Sequence, residues 1–193
     1  MNSGSASASP SEHRTNPSPG ARLRDAKWIW LPVAAVSTSV YATTYLTEEQ
    51  AQQAIFPGGI FMQAFVTLRD DQAREIERRT DVNVRNRAVR VWKVAGGGYF
   101  VVDDVLGKHD FITYAIGLNA DGSVKQVEIM DYRESYGYQI RDPEWRKQFA
   151  GKTAASPLKL ERDIKNISGA TLSCRHIADG VKRVLATHDV AFK

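Results

Sequence analysis

From Arg87 onward the apolar residues recur at every second position, and this period of two is the feature that most limits what the chain can become. Ala88, Val89, Val91 and Val94 form one run, and Tyr99, Val101, Val102 and Val105 a second, divided by Gly96-Gly97-Gly98. Residues 111–118 and 124–130 form two more around Asn119-Ala120-Asp121-Gly122. Connections this short cannot hold a crossover helix, and Gly, Asn and Asp tolerate the backbone of tight turns, so each pair reads as an antiparallel hairpin. Helical patterns on either side complete an α+β class: an antiparallel sheet of two hairpins with flanking helices.

Those helices carry their own signals. Thr47-Glu48-Glu49-Gln50 has capping-box spacing, and Phe56-Pro57-Gly58-Gly59 stops the short apolar face that follows. Residues 61–68 read as one strand, and Asp70 or Asp71 caps a second helix reaching about Arg79. Asp142-Pro143 is a cap followed by proline at the first helical position, with Gly151 closing the helix and Trp145 and Phe149 one turn apart as core. The last helix runs to about His188, and Leu172, Ile177, Val181, Val184 and Leu185 trace its buried stripe.

At 193 residues there is room for one ordinary domain and a tail. Residues 1–20, rich in Ser, Ala, Pro and Gly, read as a disordered tail. In residues 21–42, Arg22, Arg24 and Lys27 precede an apolar run ending in Val40-Tyr41-Ala42, the pattern of a secretory signal peptide cleaved after about Ala42. An uncleaved membrane anchor is the alternative, although the run falls short of the roughly 20 residues that span a bilayer. Residues 43–98 read as an α/β scaffold segment and 99–193 as the domain that carries the chemistry.

The formal charge is +4, and four cations against two acids in residues 1–42 leave only +2 for the rest, so nucleic acid has little electrostatic support as a partner. One cysteine, Cys174, excludes an intramolecular disulfide and multi-cysteine metal sites, and it reads as an apolar filler inside the last helix. The four histidines have no metal-ligand spacing, and no nucleophile with base and orienting acid can be assembled, so neither a metal site nor hydrolase chemistry is expected. No Gly-x-Gly-x-x-Gly loop for a nicotinamide is present.

The chemistry concentrates between Asp163 and Ser173. Ser168-Gly169-Ala170-Thr171 places two small residues ahead of a helix start, where unpaired N–H groups and the dipole favour a phosphate. On the local pattern alone the same four residues read more readily as a helix cap supplied by Ser168 or Thr171. In context, Ser-Gly-Ala-Thr before an amphipathic helix resembles the attachment motif of the FMN-binding domain family. That family includes the covalently flavinylated components of the sodium-translocating NADH:quinone oxidoreductase and of the related Rnf electron-transport complex.

The resemblance runs from about Tyr99 to Leu185. It implies FMN held by a phosphoester on Thr171, installed by a flavin transferase, with Ser168, Gly169, Ala170 and Leu172 around the attachment point. Glu134 and Gly137 match a family segment beside the flavin, though the residues between them do not. Tyr136 and Tyr138 suit stacking on a flat ring, or else fill the gap between loop and sheet. The 145–152 span resembles a Trp-x-x-x-Phe-x-Gly-Lys element, which would bring Lys152 to the FMN phosphate. Asp163 and Lys165 loosely resemble polar positions read by the transferase.

The expected function is therefore an extracytoplasmic electron-transfer flavoprotein, in the periplasm or on the outer face of the inner membrane, working with a membrane or periplasmic redox partner. A noncovalent FMN-dependent reductase and a cofactor-free exported sensory or binding module are the alternatives.

Overall fold

Both glycine-containing connections close hairpins. In a computed structural model, which describes residues 45–192, the strands are β1 (Phe61–Gln63), β2 (Val66–Thr67), β3 (Ala88–Val94), β4 (Tyr99–Leu106), β5 (Phe111–Leu118) and β6 (Val124–Tyr132). They form one antiparallel sheet in the order β1-β3-β4-β5-β6, with β2 also paired to β3. The fold is α+β, as the period-two runs require. The tail and the signal or anchor segment lie outside the described residues. Among the described residues no helix is long and apolar enough to cross a membrane.

Among the described residues the α-helices are α1 (Glu48–Ile55), α2 (Asp70–Thr80), α3 (Pro143–Arg146) and α4 (Thr171–Thr187). α1 begins at the expected capping box, with Thr47 and Gln50 bonded reciprocally. α3 begins with Asp142 accepting from the Glu144 N–H and Pro143 at its first position.

Two expectations shift. Residues 61–68 are divided into β1 and β2, which pair with β3 on either side of Ala64 and Phe65, and the Ala64 N–H still donates to the Val91 carbonyl at 2.9 Å. Asp70 is already helical, and the cap position of α2 is Arg69, whose N–H donates to Gln72 Oε1 at 3.0 Å.

Alternation along the strands splits the core in two. Val91, Val101, Val105, Ile112, Tyr114, Ile116, Val127 and Ile129 face α4, which buries Cys174, Ile177, Val181, Val184 and Leu185 against them. Trp92, Val94, Phe100, Val102, Ala115 and Met130 face the other way, onto Ala51 and Ile55 of α1. α4 meets the sheet at Gly180, where there is no room for a side chain. A Cβ there would stand 2.6 Å from the Tyr114 hydroxyl and 2.7 Å from Val105 Cγ1.

The same interface holds a polar lock. Arg183 on α4 donates to Asp103 Oδ2 at 2.6 Å and to the Asp104 carbonyl at 3.0 Å, while the Tyr114 hydroxyl donates to Asp103 at 2.8 Å. α4, and with it the Thr171 end, is thus fixed to β4 and β5 by packing and by charge.

Candidate functional site

Thr171 is the first residue of α4, and neither hydroxyl that could cap this helix does so. The cap position is Ala170, with no side-chain bond, and the first bond into the helix runs from the Cys174 N–H to the Ala170 carbonyl at 2.9 Å. The N–H groups of Thr171, Leu172 and Ser173 precede that bond at the positive end of the dipole. Ser168 and Thr171 are both exposed, and the Thr171 hydroxyl has no hydrogen-bond partner among the described residues.

The loop before the helix is held from behind. The Trp145 indole N–H donates to the Lys165 carbonyl at 2.7 Å, and the Lys165 N–H donates to Gln148 Oε1 at 2.7 Å. Asp163 accepts from the Leu158 N–H at 3.1 Å and the Lys159 N–H at 2.9 Å, and it pairs with Lys152 at 3.0 Å. Burial alone would raise its pKa, but those N–H groups and the ammonium outweigh burial and hold Asp163 below the usual carboxylate value. Lys152 is therefore spent on Asp163 and is not among the residues lining the cleft at Thr171.

That cleft has a volume of about 440 Å³ and is formed by Gly169, Ala170, Thr171, Leu172 and Ser173 on one side and Glu134, Ser135 and Tyr136 on another, with Lys108 and His109 completing it. The Tyr132 hydroxyl ties two of these walls together: it donates to the Tyr136 carbonyl and lies 3.1 Å from Ser173 Oγ. Gly137 sits under this junction with φ 91°, and a Cβ on it would stand 2.6 Å from the Tyr132 hydroxyl. Its place is structural, behind the cleft wall.

Tyr136 stands 81% exposed beside the cleft, and Leu172, 45% exposed, projects into the same space instead of heading the buried stripe of α4. The stripe starts at Cys174 because Leu172, one residue into the helix, faces away from the sheet. Tyr138 is exposed on the following turn and does not line the cleft, and neither does Ser168.

Glu134 is the least expected member. Its carboxylate accepts from the His109 N–H at 2.6 Å and from the Asp110 N–H at 3.1 Å, so it braces the β4–β5 turn instead of pointing an unused charge into the cleft. Burial opposes its ionisation, but the backbone N–H groups win and hold it below the usual glutamate value. Gly107 has no Cβ to collide with this carboxylate. Lys108 and His109 carry no signal in the sequence, where they are two polar residues between strands. Only the pairing of β4, β5 and β6 brings their turn beside residue 134.

A small-residue loop, an uncapped helix start, exposed apolar groups and a cationic turn suit a nucleotide with a flat ring and a phosphate, and the volume lies within the roughly 300–1,000 Å³ usual for small-ligand clefts. Residues 107–186 match the FMN-binding domain family. The chain carries an FMN-binding domain. Its matched region opens at the Gly107 turn and closes near the end of α4, so it takes in every residue of the cleft. The match supports a flavin-binding protein with FMN as its cofactor. A comparison with curated proteins finds no match.

A second depression, of about 220 Å³, lies between the α2–β3 connection and α4. Of the two arginines that line it, Arg85 and Arg183, the second is engaged by Asp103.

Proposed function

We propose that the FMN-binding domain is an electron carrier whose FMN is esterified through its phosphate to Thr171, and that it works outside the cytoplasm. The observation that carries the covalent reading is the Thr171 hydroxyl itself: exposed, without a hydrogen-bond partner among the described residues, and at the uncapped start of α4 on the wall of the cleft. A threonine that merely capped the helix would have its oxygen on a backbone N–H. Here that oxygen is left accessible to a modifying enzyme.

In this reading the backbone at Gly169 and Ala170 lets the phosphate approach, the N–H groups of α4 carry its charge, and Tyr136 and Leu172 flank the ring. FMN supplies the redox chemistry when bound, and the chain supplies attachment, orientation and tuning. The family resemblance of the Ser-Gly-Ala-Thr motif supports a flavin transferase as the maturation partner. The signal-like or anchor-like residues 21–42 support export, with a periplasmic or membrane-bound redox partner. Beyond the cytoplasm a dissociated flavin is not readily replaced, so a covalent bond has a physical use there.

Co-expression with a flavin transferase, followed by denaturing electrophoresis, tests this. Flavin fluorescence should stay on the wild-type band and disappear in Thr171→Ala; a dark wild-type band beside active transferase would refute attachment.

A further inference from the structure

We propose that Lys108, with His109 beside it, is the phosphate-recognising element of the cleft and the residue that separates FMN from riboflavin. This rests on the FMN reading above and deepens it by naming the cation that answers the phosphate.

The ionisable side chains lining the cleft are Lys108, His109 and Glu134. Glu134 does not neutralise Lys108, because its carboxylate is bonded to the main chain of the very turn that carries the lysine. Lys108 is exposed, and its ammonium has no partner among the described residues. Lys152, the lysine that sequence alone offers for the phosphate, is paired with Asp163 instead. The cleft is therefore lined both by the uncapped start of α4 and by a lysine without a counter-charge among the described residues. Two sources of positive potential on different walls of one cleft define an anion site, and a lysine serves phosphate there as a compact point charge.

The turn is also preorganised. Arg183 grips the Asp104 carbonyl at 3.0 Å before it, the Gly107 N–H donates to the Asp110 carbonyl at 2.8 Å across it, and Glu134 holds the His109 and Asp110 N–H groups. Lys108 is thus presented from a fixed backbone, which lowers the ordering cost of binding.

The test uses the wild-type chain produced without flavin transferase, titrated with FMN and with riboflavin while flavin fluorescence is followed. Lys108→Ala should weaken FMN about tenfold, as loss of one charged hydrogen bond implies, and leave riboflavin within about twofold. The affinity for FMN should also become less sensitive to salt. His109→Gln should act in the same direction more weakly, and Lys147→Ala, on an exposed lysine paired with Glu144, should do nothing. Equal weakening of FMN and riboflavin, or no change in FMN, would overturn the assignment while leaving the FMN reading in place. In the covalently loaded protein, the phosphorus NMR resonance of the attached nucleotide should move in Lys108→Ala and stay put in Lys147→Ala. An unmoved resonance would likewise overturn it. Failure of the wild-type chain both to bind FMN and to accept it covalently would remove the FMN reading and this assignment together.

Discussion

The carboxylate of Glu134, two residues beyond the end of β6, meets the main-chain N–H of His109 at 2.6 Å, so two loops separated by a full hairpin form one wall. Glu134→Ala would leave the N–H groups of His109 and Asp110 without their acceptor. It should cost about 2 kcal/mol, the order expected for hydrogen bonds to a charged group. Glu134→Gln, which keeps an acceptor oxygen, should cost less. Urea unfolding of both variants checks the order, and amide exchange should localise the loosening to residues 107–110.

Trp145→Phe keeps the ring that packs on Phe149 and removes the bond to the Lys165 carbonyl. A loss of about 1 kcal/mol is expected, with faster amide exchange concentrated in residues 164–170. Unchanged exchange there would mean that the indole does not hold the attachment loop.

Asp163 makes stability depend on pH. Its folded pKa lies below the ordinary value of 3.8, so its contribution is complete above that value and is lost as pH falls through the lowered pKa. Asp163→Ala should therefore cost about 2 kcal/mol at pH 7 and progressively less in acid. Chemical unfolding at neutral and acidic pH checks this convergence.

Gly180→Ala adds a methyl between α4 and the Tyr114 hydroxyl. Overpacking of this kind should cost about 1–3 kcal/mol, which thermal unfolding would read as a lowered Tm. Because α4 presents Thr171 at its first turn, the variant should also lower the yield of flavin attachment relative to wild type.

The hairpins and α4 are legible in the sequence because turn residues and periodicity act locally: Gly96-Gly97-Gly98 and the Asn119-to-Gly122 turn sit between runs of period two, and Ile177, Val181, Val184 and Leu185 share one helical face. The Ser-Gly-Ala-Thr stretch marks the cleft through its resemblance to the family's attachment motif. What escapes depends on contacts distant in sequence. Nothing near Lys152 announces that Asp163 will claim it, and nothing near Lys108 announces Glu134. Leu172 fits the apolar spacing, yet its position at the first turn leaves it over the cleft instead of the sheet. The polar Gly107-Lys108-His109-Asp110 step between two strand runs marks a connection and nothing more in the sequence, and it joins the cleft only once β5 is paired with both neighbours.

Mass spectrometry of the mature polypeptide from a host with a working flavin transferase decides whether Thr171 carries the flavin. The peptide containing Thr171 should carry the mass of FMN less one water, with fragmentation placing it on that threonine. The same peptide found only unmodified, or modified at Ser168 or Ser173 instead, would contradict the account.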